Sequence, residues 1–231
     1  MRFGIICAMQ EEIKELIANL EGEEEKVIGG KTYYFGTITG QSVVLVESGI
    51  GKVEAGITTE HLITDCGADV VINSGSAGGI GEGLHVGDVV ISTETAYHDV
   101  DVTAFDYVYG QLPQKDPRFV ASEKWGKALE LAGEQTGLTI KRGLIVTGDQ
   151  FVAGKDTIAK IMSHFPDALS AEMEGAAVGQ VATDHKIPYV VVRAMSDTGD
   201  EEAGVSFDEF IIDAGKRSAN MLLQLFKDLA A

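Results

Sequence analysis

Basic residues are scarce in this chain. Only 18 Lys and Arg stand against 36 Asp and Glu, a formal net charge of −18 over 231 residues. Such a surface repels phosphate backbones and anionic bilayers, which excludes nucleic acid and membrane as partners. Cysteine is nearly absent, and Cys7 and Cys66 show no metal-ligand spacing. Reduced thiols in a cytoplasmic protein are the simplest account. The 4 prolines mark no domain boundary, and no linker, internal repeat or low-complexity segment interrupts the chain. One domain over residues 1–231 is the expectation. No apolar run approaches the ~20 residues of a membrane span. The opening Arg2–Ala8 reads as a short buried strand rather than a secretion signal.

What is present is an alternation of strand and helix signals. Hydrophobic residues make up 45% of the chain, enough for a sizeable core. Buried strands are expected at Phe3–Ala8, Asp69–Asn73, Asp88–Ala96, Ile140–Thr147 and Pro188–Ala194. Helical spacing marks Gln10–Leu20, Lys52–Cys66, Ser122–Gln135, Asp156–His164, Gly175–His185 and Phe207–Leu229. Lys31–Ile38 and Ser42–Glu47 form a hairpin around Thr39-Gly40. The acidic run Glu21–Glu25 reads as a solvated turn. Near-continuous apolar strands between helices predict an α/β fold whose sheet is covered on both faces.

Ligands of α/β sheets bind beyond the carboxyl ends of the strands. Those ends carry Ala8–Glu12, Ser48–Gly51, Ser74–Gly79, Asp149–Val152, Glu172–Glu174 and Met195–Asp197. They mix carboxylates, apolar side chains and glycine, with no basic residue among them. The Ser74–Gly79 stretch lacks the spacing of a dinucleotide turn or a P-loop, so close approach of its backbone to a neutral ligand is the better reading. The histidines His61, His85, His98, His164 and His185 are scattered helix or surface residues. Glu172 and Glu174, two apart in an extended segment, face one cleft together and can bind a ribose diol. The competing reading is an acidic helix start.

Carboxylates without a Ser/His or Cys/His pair point to acid–base hydrolysis of a glycosidic bond. Asp197 lies near Asp200, Glu201 and Glu202, whose charge would raise its pKa and suit it to donate a proton. Otherwise it caps a turn. Glu12 would be the base, or else an ordinary helix-surface glutamate. Glu12, Glu172, Glu174 and Asp197 could alternatively hold a divalent metal.

The joint order of several motifs is highly specific: Ala8–Glu12, Ser48–Lys52, Asn73–Gly79, Tyr97–Asp99, Asp101–Phe105, Tyr109–Pro113, Gly148–Phe151, Glu172–Glu174, Arg193–Asp197 and Ser206–Phe210. In these the chain resembles, nearly end to end, the bacterial 5′-methylthioadenosine/S-adenosylhomocysteine nucleosidases of the purine nucleoside phosphorylase superfamily. The resemblance implies a three-layer α/β/α sandwich around a central mixed sheet. It implies irreversible hydrolysis of adenine thionucleosides, and of 5′-deoxyadenosine, without cofactor or metal. Asp197 would protonate adenine N7, with Ser196 orienting it. Glu12 would activate water with help from Ser76 and Arg193. Glu174 would bind the ribose 2′-hydroxyl, with Met9, Met173 and Glu172 along the sugar.

Phe151 would stack on adenine, Val152 would read its edge through the backbone, and Gly78 would lie against the ligand. Ile50, Val102, Phe105 and Phe207 would hold the alkylthio tail. Tyr107 and Pro113 would come from a neighbouring subunit, which implies a homodimer. Cys7 and Gln10 depart from the family pattern outside these roles. The arginines are Arg2, Arg118, Arg142, Arg193 and Arg217. None lies in the glycine stretches, so water is the expected nucleophile. The readings left open are a phosphorylase, a metal-dependent hydrolase and a nucleoside-binding protein without catalysis.

Overall fold

The computed structural model describes residues 1–198 and 203–230, and the side chains of these except 203–208. The chain begins with β1 (Arg2–Cys7), α1 (Gln10–Ala18), β2 (Glu21–Ile28), β3 (Lys31–Ile38), β4 (Gln41–Glu47) and α2 (Lys52–Thr64). The middle carries β5 (Val70–Gly79), β6 (Val89–Tyr97), β7 (Phe119–Val120), α3 (Glu123–Gln135) and β8 (Ile140–Thr147). It ends with α4 (Lys155–His164), β9 (Ala168–Glu172), α5 (Gly175–Asp184), β10 (Tyr189–Asp197) and α6 (Ala203–Ala230).

Alternation along β1 explains the layers, because successive side chains of a strand point to opposite faces. Phe3 and Ile5 join Trp125, Leu129, Leu222 and Phe226 under α1, α3 and α6. Ile6 joins Val44, Val46, Leu62, Ala176 and Val178 under α2 and α5. Phe3 meets Trp125 edge-on at 5.0 Å and Phe226 at 5.3 Å. Each such buried side chain contributes about 1.5–3 kcal/mol of transfer free energy. The result is the expected α/β/α arrangement around a mixed sheet.

The sheet runs β10-β6-β8-β9-β5-β1-β4-β3-β2, with β7 on β6, and β10 also pairs with β5. One part therefore closes into a ring of β5, β10, β6, β8 and β9. The other part, β1, β4, β3 and β2, continues outward from it. The strand β5 belongs to both. Its start, Val70–Asn73, pairs with Phe3–Ile6 of β1, and its end, Gly78–Gly79, pairs with Ser170–Ala171 of β9. Between these two partners one edge of β5 is open at Ser74–Ala77. Ligand crevices form where neighbouring strands diverge in this way.

Two local expectations change, and one short strand has no counterpart in the sequence reading. Ser74–Gly79 is strand rather than loop, because Gly75–Gly78 pairs with Arg193–Asp197 of β10. Glu21–Glu25 is solvated but not a turn; it starts β2, which pairs antiparallel with β3 at the border of the sheet. Phe119–Val120 is a short strand with no readable pattern of its own, held by Thr95 and Glu94. The Thr39-Gly40 hairpin is as expected: both residues have positive φ (48° and 78°), the geometry of a two-residue primed turn.

Candidate active site

The open edge of β5 is filled by Glu12. The chain leaves β1 at Cys7, turns, and enters α1, which places Glu12 at the third helical position, buried rather than on the helix surface. Its Oε2 accepts hydrogen bonds from the N–H of Ala8 (3.0 Å) and Met9 (3.2 Å). Its Oε1 accepts from the Ser76 N–H (2.9 Å) and hydroxyl (3.0 Å). Burial pushes the Glu12 carboxyl above the usual carboxylate range, against the opposing pull of Arg193 and of the Ser76 and Met9 donors.

Glycine is required beside it. A Cβ at Gly75 would stand 2.6 Å from Arg193 Nη1 and 2.7 Å from Glu12 Oε1. Three residues on, a Cβ at Gly78 would stand 2.9 Å from Asp197 Oδ1. The two glycines thus make room for the protein's own charged groups. Asp197 ends β10, 2% exposed, and its Oδ2 accepts the Ser196 hydroxyl at 2.9 Å. Residues 200–202, expected to influence Asp197, lie outside the described residues.

Glu172 and Glu174 both line one cavity, and Glu172 also serves as the acidic helix start. Glu172 accepts from the N–H groups of Glu174 (3.1 Å) and Gly175 (2.8 Å) at the start of α5, and from the Thr147 hydroxyl and Arg193. Glu174 accepts from the Gly51 N–H at 2.8 Å and stands 3.3 Å from Arg193 Nη2. Burial, then the neighbouring Glu172, raises the Glu174 pKa, while Arg193 and the Gly51 N–H oppose the rise. Arg193 is 1% exposed and is the single guanidinium among these carboxylates.

A cavity of about 350 Å³ joins these groups. Its wall is Ala8, Met9, Glu12, Ile50, Ser76, Ala77, Gly78, Gln150, Phe151, Val152, Ala171, Glu172, Met173, Glu174, Ser196 and Asp197. The volume is that of a small-ligand site, and no Lys, Arg or His lies in its wall. Ile50 and Phe151 stand at its mouth, 55% and 48% exposed. Among the described residues, no group of three or more His, Cys, Asp or Glu is arranged to hold a metal ion.

Several expected residues lie elsewhere. Arg193 sits behind the wall, bonded to Glu172, Glu174 and Asn73. Val102, Phe105, Tyr107 and Pro113 do not line this cavity, and Phe105 is 75% exposed. The side chain of Phe207 lies outside the described residues. His98 is buried, not a surface residue, and lies outside the cavity wall. Asn73 and Gly51 stand within the sequence motifs but carry no role there, and Thr147 is only the end of an expected strand; all three hold the charged side chains. Their signal is weak: a polar residue at the end of an apolar run.

The model of the phosphorylase superfamily matches residues 2–227 of the chain. The chain therefore belongs to that superfamily. Within it the likeness is to 5′-methylthioadenosine/S-adenosylhomocysteine nucleosidases. The curated nucleosidase of Actinobacillus succinogenes is 47% identical over 229 residues, 99% of this chain and 100% of that one. The nucleosidase of Neisseria meningitidis, solved with methylthio-immucillin-A, superposes with a TM-score of 0.96 at 44% identity, covering 98% of this chain and 99% of the other. That of S. pneumoniae, solved with a transition-state inhibitor, gives 0.95 at 49% identity, covering 99% and 100%.

Proposed function

We propose that this chain hydrolyses the N-glycosidic bond of 5′-methylthioadenosine and S-adenosylhomocysteine, and of 5′-deoxyadenosine, releasing adenine and the 5-substituted ribose. One observation carries the reading. Glu12, Glu174 and Asp197 face a single cavity whose remaining wall is largely apolar and free of basic side chains. Breaking C1′–N9 leaves an electron pair on the base and a cationic sugar, so the reaction needs an acid at the base and a base at water.

In this reading Asp197 donates its proton to adenine N7, and Ser196 fixes the carboxyl by its hydrogen bond. The C1′–N9 pair withdraws into the protonated ring. Glu12 takes a proton from the water that attacks C1′, with Ser76 orienting it. Glu174 accepts from the ribose 2′-hydroxyl, a bond that strengthens as the sugar becomes cationic. Asp197 is anchored at Gly78 and Glu12 at Gly75–Ser76. Two to three residues of strand separate these anchors, about 7–10 Å at ~3.3 Å per residue. Met9 and Met173 flank the sugar, Phe151 stacks on adenine, Val152 and Gly78 border the base, and Ile50 takes the thioether.

Water is favoured over phosphate because the single nearby guanidinium is already shared by two carboxylates. The reaction would serve methionine salvage in the cytoplasm. The proposal includes a homodimer in which Tyr107 and Pro113 close the partner's cavity; Val102 and Phe105, expected around the tail of their own chain's ligand but absent from its cavity wall, are reassigned to the same role. Ile50, Val53, Ile57, Phe105 and Val108 are exposed apolar side chains that such an interface would cover. The test is adenine release from methylthioadenosine in phosphate-free buffer with chelator. Free adenine and methylthioribose are expected. Release only after phosphate is added would make the protein a phosphorylase, and no release at all would defeat the reading.

A further inference from the structure

We propose that Asn73 is a positioning residue of this site, one that fixes how the single positive charge of Arg193 is presented to the carboxylates around it. The inference rests on the hydrolytic reading above. Asn73 is fully buried in β5, at the last position paired with β1 before the edge opens. Its Oδ1 accepts from Arg193 Nη2 at 2.6 Å, and its Nδ2 donates to the Ile6 carbonyl at 3.1 Å. The amide can face only one way: a guanidinium needs the oxygen, and a carbonyl needs the nitrogen. Asn73 therefore ties the guanidinium to the β1 backbone two residues before Ala8, whose N–H holds Glu12.

Arg193 faces Glu172 of β9, Glu174 at the start of α5, Glu12 of α1 and the Cys7 thiol of β1. On its other sides β6 presents Val90, and Ser218 of α6 bonds the Gly75 carbonyl. Of the Arg193 hydrogen bonds to Asn73, Glu172 and Glu174, the one to Asn73 ends on a neutral acceptor and the others on carboxylates. A neutral acceptor holds the guanidinium in place without absorbing its charge, so the charge remains available to Glu12 and Glu174. Glu12 is the group that must be ionised to take a proton from water.

Two variants separate positioning from bulk structure. Asn73→Ala removes both bonds. Asn73→Asp keeps the shape and the acceptor but adds a competing charge and removes the donor to Ile6. Both should fold, and both should lower kcat by about tenfold or more with KM changed less than about threefold, because displaced catalytic groups cost rate before binding. Asn73→Asp alone should move the acid limb of the pH–rate profile upward, by about half a pH unit or more, since Glu12 loses a share of its counter-charge.

Wild-type kcat in both variants, a raised KM with unaltered kcat, or an unmoved acid limb in Asn73→Asp would overturn the proposal. So would failure of both variants to fold, which would make Asn73 a structural residue. A wild-type protein that releases no adenine would defeat the hydrolytic reading and the positioning role together. Active wild type with unaffected variants would defeat the positioning role alone.

Discussion

Replacing Glu174 by Gln should make the protein more stable while removing most of its activity. In the folded chain Glu174 accepts one good hydrogen bond, from the Gly51 N–H at 2.8 Å, and one long one, from Arg193 at 3.3 Å. An amide keeps the first through its oxygen. Losing the second costs about 1 kcal/mol. Against this, the substitution removes a carboxyl whose ionisation is opposed by burial and by the neighbouring Glu172. A carboxyl held protonated above its ordinary pKa costs the folded chain at most about 1.4 kcal/mol for each pH unit between its unfolded and folded values. The net expectation at neutral pH is a gain of about 1–2 kcal/mol, or about 2–8 °C in Tm for a chain of this size.

The pH dependence supplies the sharper check. The folded pKa of Glu174 lies above its ordinary value of 4.5. Above that value the folded chain holds a proton the unfolded chain has lost, so this residue makes wild-type stability fall as pH rises. The Gln variant lacks that contribution. Its Tm advantage should be near zero at pH 4, open above 4.5 and widen toward neutral pH. Thermal denaturation from pH 4 to 8 would show this. A variant less stable than wild type at pH 8, or an advantage that shrinks with rising pH, would refute the reasoning. Turnover should fall by about 10²–10³, the loss of one hydrogen bond specific to the transition state.

Asp197→Asn should abolish adenine release with the Tm nearly unchanged, and near-normal turnover would remove its role as the acid. Glu12→Gln should stop hydrolysis while calorimetry still detects nucleoside binding. In wild type the rate should rise with pH through an acid limb above the usual carboxylate range, because Glu12 must lose its proton to act and burial delays that loss. Gly75→Ala puts a methyl group 2.6 Å from Arg193 Nη1 and 2.7 Å from Glu12 Oε1. It should cost about 1–3 kcal/mol of stability and most of the turnover, whereas a fully active variant would show that the charged pair can shift freely.

The strands and helices with strong periodicity were legible because their signal is local. Phe3, Ile5 and Ile6 in β1 and the Ile13–Leu16 stripe of α1 show burial directly in their spacing. What escaped depends on pairing between distant segments. Nothing local distinguishes Ser74–Gly79 from a glycine loop; β10, more than a hundred residues later, makes it a strand. Glu12 shows the same limit. Its neighbours Glu11 and Glu15 suggest a solvated helix face, and only Ser76, 64 residues away, and the open edge of β5 give it a buried berth. Both residues of the Glu172–Glu174 motif line one cavity, but the i, i+2 argument could not foresee that Glu172 would turn toward the α5 amides.

The border strand β2 has a consequence for life at high concentration. A terminal strand leaves a row of unpaired N–H and C=O groups, a template on which another copy's strand can add. Here that row is carried by Glu21–Ile28, whose side chains through Val27 are exposed and mostly acidic. Any second copy approaching edge to edge brings the same run of like charge. Substituting Glu23, Glu24 and Glu25 with Thr would leave the cavity and its carboxylates untouched yet turn β2 into a sticky seam, so the acidic run guards the protein against growing into fibres of itself.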